Sequence, residues 1–314
     1  MLIFLADRRL PFYNAGMKHS SYIVAGPTAS GKSDFAHALA KRVGGAVINC
    51  DSVQIYAGIE NISASPMVGK NTPEIDGIPY RLFSVLPLTQ QISVAKYLVL
   101  ARKEYDDVIA AGKIPIFVGG SGFYVSALLH GISPIPEISE ENRKRARDMV
   151  RDYKGAARQL LKNADPDNAC TDPQRIARAL EVFLETGLPL SDWQKLPRTG
   201  AVLKKAFKIL ISPHRDILTE RIAGRIPEMI KGGAIDEARA VMAAGWDPSR
   251  AIGADEAVKF VKKESTEEEM IANWITRTNQ YAKRQQTWFR NQYATDVEIN
   301  HVPTEAYIDM VLRT

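Results

Sequence analysis

The chain alternates short apolar runs with stretches in which apolar residues recur at helical spacing. The runs at 22–25, 46–50, 114–118 and 207–212 have the length of buried strands. After the first run, Phe35, Leu39 and Val43 mark one face of a helix, and residues 96–111 show the same spacing. Strands that alternate with helices predict an α/β fold, in which a parallel sheet is flanked by helices and ligand loops follow the strands.

The pattern changes after residue 131, where Pro134, Pro136 and Glu137 indicate a boundary. Residues 138–198 contain helical patterns without strand runs, and the chain from 214 onward is again helical, ending in a long helix over 267–292. We therefore predict an N-terminal extension (1–19), an α/β core (20–137), an all-helical insertion (138–198), and a return to the core with a helical C-terminal segment (199–314). Residues 1–17 are expected to be loose, with Met17 as an alternative start.

A phosphate-binding motif lies between the first predicted strand and the first predicted helix. It fits G-x-x-x-x-G-K-[ST] at every fixed position, and its strand–loop–helix context favours a sheet of the P-loop NTPase type over a chance glycine-rich turn. Backbone N–H groups and the helix dipole favour an anion there. The predicted polyphosphate-binding residues are Gly26, Pro27, Thr28, Ala29, Ser30, Gly31, Lys32 and Ser33, with Ser33 placed to ligate Mg²⁺.

Composition limits the class of protein. With 314 residues, 45% of them hydrophobic, the chain can bury a sizeable core. No apolar stretch approaches the roughly 20 residues that span a bilayer, so no membrane partner is expected. The two cysteines are far apart in sequence, which is typical of a reducing cytoplasm and of neither a disulfide framework nor a zinc site. A net charge of +5 favours a polyanionic partner.

Two further segments follow predicted strands. Asp51 comes directly after the second strand, at the sheet edge that faces the ligand in parallel α/β folds. A carboxylate there can be a metal ligand, a general base or the cap of the next turn. Ser121 lies in the glycine-rich segment 119–122, which permits close approach of a ligand but is equally typical of a plain strand-to-helix turn.

Two of the predicted helices carry groups of cations. Asp172 and Pro173 begin one of them, on which Gln174 and Arg178 share a face with Arg175 beside them. Upstream, a basic stripe suits a phosphate backbone. It consists of Arg143, Lys144, Arg145, Arg147 and Arg151. For both helices, the alternative to nucleic-acid binding is a charged face that only contacts solvent.

The long C-terminal helix interleaves cations, amides and aromatic residues. Trp274, Tyr281 and Trp288 recur every seven residues, a stripe that is more often core packing than base stacking. Lys283, Arg284 and Arg290 flank the stripe, as a helix that binds nucleic acid requires.

Five blocks of the sequence resemble the tRNA dimethylallyltransferases, also called tRNA isopentenyltransferases. They are GPTASGKS, DSVQIY, GKIPIFVGGSGFYVSALLHGISP, DPQRIARALEVFLETG and YAKRQQTWFR, in family order between Ser21 and Tyr293. Together they are far more specific than the phosphate loop alone. The chain departs from the family pattern at Ala57, at 62–66, at Tyr80–Arg81 and at 254–256.

The resemblance implies that a dimethylallyl group is transferred from dimethylallyl diphosphate to the exocyclic N6 of the adenosine next to the tRNA anticodon (position 37). The phosphate loop would then hold the diphosphate without hydrolysing a nucleotide. The implied catalytic residues are Asp51 as base, with Lys32 and Arg225 on the leaving group, helped by Mg²⁺ on Ser33 and by Ser121. Arg225 matches a family arginine that contacts the pyrophosphate, and Arg221 is a second candidate.

The implied partners are dimethylallyl diphosphate and the anticodon stem-loop of a tRNA, and the protein is expected to be a monomer. The residues expected to contact the tRNA are Asp51, Ser52, Val53, Gln54, Ser121, Arg143, Gln174, Arg175, Ile176, Ala177, Arg178, Lys283, Arg284, Gln285, Gln286, Thr287, Trp288, Phe289 and Arg290.

Three rival functions remain open at this stage. A small-molecule kinase would bind ATP at the phosphate loop but gives no role to the C-terminal helix. A prenyltransferase that acts on free adenine nucleotides would not need the helical insertion. A non-catalytic RNA-binding module would not need a complete phosphate loop together with Asp51.

Overall fold

A computed structural model describes residues 19–166 and 168–314 of the protein. Residues 1–18 lie outside the described residues, and with them nearly all of the predicted N-terminal extension, including Met17. The chain divides into two compact units. Of the described residues, 19–129 and 202–314 form an α/β unit, and those between 130 and 201 form a helical unit.

The α/β unit is built on a seven-stranded sheet with the order β3-β4-β2-β5-β1-β6-β7. The strands are β1 (Tyr22–Ala25), β2 (Gly45–Asn49), β3 (Glu74–Ile75), β4 (Ile78–Arg81), β5 (Ile114–Gly119), β6 (Phe207–Ile211) and β7 (Val297–Ile299). Neighbouring strands pair in parallel, except for the antiparallel hairpin of β3 and β4. The central strand β1 pairs Val24 with Val118 on one side and with Ile209 on the other. The predicted α/β fold class is confirmed.

Helices flank the sheet in the α/β unit. They are α1 (Lys32–Val43), α2 (Val94–Ala110), α3 (Gly122–His130, whose last residue belongs to the helical unit), α8 (Arg215–Met229), α9 (Ile235–Ala243), α10 (Ala254–Val261), α11 (Glu267–Gln292) and α12 (Glu305–Arg313). A π-helical turn at Ile230–Ala234 joins α8 to α9, and a 3₁₀ turn at Pro248–Arg250 precedes α10.

The hydrophobic core of the α/β unit is formed around the central strands of the sheet, whose sequences are the apolar runs described above. Every residue of β1 and β2 is buried, which explains why their sequences do not alternate between apolar and polar residues. Phe35, Leu39 and Val43 of α1 pack into the same cluster, as their spacing predicts. Among the described residues, no helix is both long enough and apolar enough to cross a bilayer.

The helical unit contains α4 (Glu140–Asp152), α5 (Lys154–Ala164), α6 (Pro173–Thr186) and α7 (Leu190–Lys195). Its own small core is formed by apolar residues of α4, α5 and α6, including Ala146, Leu161 and Leu180. Asp172 caps α6 by accepting a hydrogen bond from the Arg175 N–H at 2.9 Å, and Pro173 is its first residue. The unit spans 130–201, whereas the sequence placed the insertion at 138–198.

Candidate active site

The phosphate loop connects β1 to α1 in the geometry that the motif requires. Gly31 immediately precedes α1 with a φ of 89°, a conformation that glycine adopts without strain. Ala29 also has a positive φ of 64°. The Lys32 ammonium donates to the Pro27 carbonyl at 3.2 Å, so it folds back over the loop. The N-terminal N–H groups of α1 and this ammonium together favour a bound anion.

Two arginines of α8 lie against the same loop. Arg225 donates to the Thr28 hydroxyl at 2.8 Å, and Arg221 donates to the Ala29 carbonyl at 2.8 Å. The Nε of Arg225 is buried and has no hydrogen-bond partner among the described residues. A buried cationic donor without a partner is costly, and an anionic oxygen in the adjoining cavity would satisfy it.

Asp51 lies at the carboxyl end of β2, in a turn fixed by its neighbours. The Asn49 side chain bonds both the N–H and the carbonyl of Asp51, at 2.8 and 2.9 Å. Asp51 Oδ1 accepts the Val53 N–H at 2.9 Å, so the capping role is present in the structure. Ser121 accepts the Ser52 N–H at 3.0 Å, which ties this turn to the glycine-rich segment after β5.

One face of α11 closes the site. Gln285 accepts the Thr28 N–H and donates to the Gly120 carbonyl, both at 2.8 Å. The Trp288 ring lies against Gly122, where a Cβ atom would approach within 2.3 Å. Helix α11 is thereby attached to both glycine-rich loops.

These elements enclose a cavity of about 520 Å³ within the α/β unit. Phosphate-loop residues, the Asp51 turn, a segment at 62–66, both α8 arginines and the α11 face all contribute to its wall. The lining includes Thr28, Ala29, Gly31, Lys32, Ser33, Asp51, Ser52, Val53, Gln54, Arg221, Arg225, Trp274, Thr278, Tyr281 and Gln285. The cavity therefore combines an anion-binding side with a carboxylate.

Burial shifts the titration of the groups that line this cavity. It lowers the pKa of Lys32 to about 8, an effect that the Asp51 carboxylate opposes and the Arg225 charge reinforces. Burial also lowers the pKa of Arg225 to about 10, with Arg221 adding to the effect. Burial, and then the nearby Asp51 charge, raise the pKa of Tyr281, so its phenol remains protonated at neutral pH. Burial and the mutual proximity of these cations therefore make the cationic side of the cavity favourable for an anion.

The donor atoms present fit a magnesium ion that is shared with a substrate. The Ser33 hydroxyl and the Asp51 carboxylate both line the cavity, and Mg²⁺ prefers oxygen ligands while retaining waters and substrate phosphates. Within the described ranges, no cluster of three or more His, Cys, Asp or Glu residues could hold a metal by itself. Substrate oxygens would have to complete the coordination.

The candidate tRNA-binding residues divide by exposure. Gln174, Arg175 and Arg178 are exposed on α6, and together with Asp172 they line a shallow depression of the helical unit. On α11, the exposed candidates are Lys283, Arg284, Thr287 and Arg290, and the half-buried ones are Gln286 and Trp288. Arg284 lies over the Tyr281 ring, 5.7 Å from its centre.

Four of the residues expected to contact tRNA have buried side chains. Ile176 and Ala177 belong to the core of the helical unit, because they lie on the inner face of α6. Phe289 is 1% exposed and contacts Tyr293 edge to face. Gln285 is 6% exposed and bonds the two glycine-rich loops. The side chains of Ile176, Ala177 and Phe289 pack the protein, whereas Gln285 both joins the two loops and lines the cavity.

The basic stripe on α4 is largely neutralised within its own unit. Arg143 pairs with Glu140, Arg147 with Glu181, and Arg151 with Asp148 and Asp152. Lys144 and Arg145 are exposed. The stripe therefore offers less free positive charge than its sequence indicates.

Sequence reasoning missed Thr278 as part of the cavity wall. It completes the spacing 274, 278, 281 and 285, one face of α11. That helical periodicity was the available signal, since two of the four positions belong to the aromatic stripe. At the last departure from the family pattern, Asp255 and Glu256 both pair with Arg277, so this pair of acids is neutralised internally.

Comparison with known proteins gives consistent matches over most of the chain. Residues 54–292 match the IPP transferase family, and residues 19–72 match the isopentenyl transferase family. The tRNA dimethylallyltransferase of Parvibaculum lavamentivorans is 39% identical over 278 residues, covering 86% of this chain and 87% of the relative. That of Sphingopyxis alaskensis is 41% identical over 280 residues, covering 86% and 89%.

Solved structures give the same picture. The full-length tRNA isopentenylpyrophosphate transferase of Bacillus halodurans aligns with a TM-score of 0.66 at 29% identity, covering 94% of this chain and 95% of that one. A eukaryotic dimethylallyltransferase acting on tRNA aligns with a TM-score of 0.67 at 24% identity, covering 86% and 69%, and supports the fold alone. With a family match over residues 54–292 and relatives near 40% identity, the chain belongs to the IPP transferase family.

Proposed function

We propose that this protein transfers a dimethylallyl group from dimethylallyl diphosphate to N6 of the adenosine at position 37 of tRNA, and releases diphosphate. One observation carries the proposal. In a chain of the IPP transferase family, a single cavity joins an anion-binding loop with Lys32 and Arg225 to the Asp51 carboxylate.

The cationic side of the cavity suits the donor substrate. Lys32, Arg225 and the α1 N-terminus bind the diphosphate and offset the charge that grows on it as the allylic C1–O bond breaks. When the diphosphate binds, one of its oxygens can accept a hydrogen bond from the buried Nε of Arg225, which has no other partner among the described residues. A Mg²⁺ ion held by Ser33, waters and substrate oxygens would supply further charge neutralisation for the leaving group and leave Asp51 free to act as a base.

The carboxylate suits the acceptor. Adenine N6 is a poor nucleophile because its lone pair is delocalised into the ring, and it loses a proton as the N6–C1 bond forms. Asp51 takes that proton, which leaves a neutral, prenylated adenine and free diphosphate. An adenosine in a single-stranded loop leaves its stack at low cost, which allows it to enter the cavity.

The cations of both units suit an RNA backbone. We assign Arg175 and Arg178 of α6, and Lys283, Arg284 and Arg290 of α11, to contacts with the tRNA. Each lies on an exposed face, and phosphate contacts of this kind make binding dependent on salt.

The test compares acceptors at fixed enzyme concentration. Dimethylallyl diphosphate is incubated with the enzyme and tRNA, or AMP, while ATP alone forms a third arm, and the products are followed by mass spectrometry. Prenylated tRNA is expected in the first arm only. Prenylated AMP would favour the free-nucleotide reaction, and ATP turnover without prenyl transfer would favour a kinase.

Variants of the cationic side make the test specific to this cavity. Lys32→Ala and Arg225→Ala should each lower turnover with dimethylallyl diphosphate, because each removes charge that stabilises the leaving group. Lys41→Ala serves as the control, since it removes an exposed cation at the far end of α1. Equal activity of all three variants would contradict the proposed site.

A further inference from the structure

One wall of the cavity is an irregular segment rather than a helix or strand. Ile62, Ser63, Ala64 and Pro66 all line the cavity and lie between β2 and β3. Ala64 has a φ of 50°, an uncommon conformation for a residue with a side chain. Backbone hydrogen bonds close the turns of the segment, among them Ser63 N–H to the Ile59 carbonyl at 2.9 Å and Ser65 N–H to the Glu60 carbonyl at 2.8 Å. Contacts with other elements are then needed to hold these turns against the rest of the cavity.

Glu237 of α9 supplies three hydrogen bonds to the start of this segment. Its Oε1 accepts both the backbone N–H and the side-chain amide of Asn61, at 2.7 and 2.8 Å, and its Oε2 accepts the Ile62 N–H at 2.8 Å. Both carboxylate oxygens are therefore used on two consecutive residues. Hydrogen bonds to a charged acceptor are stronger than neutral ones, and three of them fix the local backbone.

The surroundings of Glu237 are shaped to receive Asn61. The π-helical turn before α9 contains Gly232, where a Cβ atom would lie 2.5 Å from the Asn61 side-chain oxygen. Asn61 thus occupies a space that a larger residue at 232 would fill. At the other end of the segment, the Gln54 side chain donates to the carbonyls of Ser63 and Ala64, both at 3.0 Å.

We propose that Glu237 is a positioning residue that holds the 61–66 segment as a wall of the substrate cavity and thereby sets the KM for the prenyl diphosphate. Glu237 itself is not among the residues that line the cavity, so it acts through the segment. The inference rests on the proposed function, because it takes dimethylallyl diphosphate as the occupant of the cavity. A loosened wall weakens substrate binding, whereas Asp51, Lys32 and Arg225 keep their own supports.

The principal variant is Glu237→Gln, which keeps the size of the side chain but replaces one acceptor oxygen with a donor that faces an N–H group. We expect the KM for dimethylallyl diphosphate to rise about tenfold or more, as for the loss of one charge-assisted hydrogen bond, with kcat within about twofold of the wild type. Asp236→Asn is the matched control. It makes the same change of charge on the preceding residue, which is exposed and pairs only locally with Arg239.

Hydrogen exchange of peptides that cover residues 59–66 supplies a readout besides activity. Glu237→Gln should speed exchange of the Asn61 and Ile62 amides, and Asp236→Asn should not. Asn61→Ala, which removes one donor but leaves both backbone amides, should raise the KM by less, and its effect should not add fully to that of Glu237→Gln.

The outcomes separate the two proposals. An unchanged KM in Glu237→Gln overturns this inference, as does a fall in kcat with KM unaltered, since either would remove the link between the segment and substrate binding. If the wild-type enzyme neither binds dimethylallyl diphosphate nor modifies tRNA, the proposed function fails instead. In that case, faster amide exchange in Glu237→Gln would show that Glu237 stabilises the 61–66 segment, and the claimed effect on the KM for the prenyl diphosphate would be rejected.

Discussion

At the scale of single residues, the Asp51 side chain accepts the Val53 N–H through Oδ1 while the carboxylate also lines the cavity. Asp51→Asn separates these two roles, because asparagine keeps an oxygen for the turn but cannot take a proton. We expect both Asp51→Asn and Asp51→Ala to lower kcat by about 10²-fold or more, with tRNA affinity retained. Single-turnover prenyl transfer and filter binding measure the two quantities. Near-normal turnover of Asp51→Asn would leave only the capping role.

Lys32 gives a prediction about pH. Because burial lowers its pKa to about 8, the ammonium of the free enzyme is charged below that pH and loses its charge above it. The Kd for dimethylallyl diphosphate in magnesium-free buffer should therefore rise about fivefold between pH 8 and pH 9, where the diphosphate no longer titrates. Calorimetry at constant ionic strength measures it. Lys32→Arg, which stays charged, should lose most of this dependence; a flat profile in the wild type would contradict the prediction.

At the scale of elements, Gln285 attaches α11 to the phosphate loop and to the loop after β5. Gln285→Ala leaves the buried Gly120 carbonyl and the part-buried Thr28 N–H without this partner, and a buried unsatisfied group costs about 1–3 kcal/mol. We expect the free energy of unfolding to fall by about 2 kcal/mol or more in urea titration, with tRNA affinity little changed. Gln280→Ala, on the exposed side of the same helix, is the control. A loss below about 0.5 kcal/mol would show that the contact is dispensable.

The long or strongly apolar elements could be predicted from sequence, and the short ones could not. Helix α11 occupies the predicted range 267–292, and the strands at 22–25 and 114–118 lie within a residue of their predicted ends. The hairpin of β3 and β4 was missed because its strands have only two and four residues, although Asp76–Gly77 at its turn was a usable signal. Strand β7, with three residues, has no periodicity to detect.

The candidate site was predictable to the extent that it follows local motifs. The phosphate loop and Asp51 each follow an apolar strand, so their place at one sheet edge could be inferred from the topology alone. The contribution of Glu237 could not, because it depends on a contact between residues 61 and 237 that no local spacing encodes. For the same reason, the burial of Gln285 becomes visible only once α11 is packed.

At the scale of the whole molecule, each unit carries cations assigned to the tRNA. The double variant Arg175→Ala/Arg284→Ala removes one cation from α6 and one cation from α11. We expect this variant to bind tRNA more weakly. A plot of the logarithm of the tRNA association constant against the logarithm of the salt concentration should have a slope smaller in magnitude by about 0.7–0.9 for each phosphate contact that is lost. Binding of dimethylallyl diphosphate should be unaffected. Filter binding at two or more salt concentrations measures the slope.

Two further variants show whether this effect is specific. Lys103→Ala removes an exposed cation of α2 that pairs with Asp107, and should leave both affinity and slope unchanged. If the Arg175→Ala/Arg284→Ala double variant has the same tRNA affinity and salt slope as Lys103→Ala, these two arginines are surface residues that do not contact the tRNA. The tRNA site would then be sought at Lys144 and Arg145, the exposed cations of the α4 stripe.

The points at which the chain leaves and rejoins the α/β unit are joined by hydrogen bonds. The Leu128 carbonyl accepts the N–H groups of both Val202 and Leu203, each at 2.9 Å. Residues 130–201 therefore begin and end at neighbouring positions of the α/β unit. The entropic cost of closing such a connection grows only slowly with its length, so this part of the chain can lengthen or shorten at little cost to stability. Insertions, deletions and substitutions within residues 130–201 can therefore accumulate without repacking the sheet or the cavity beside it.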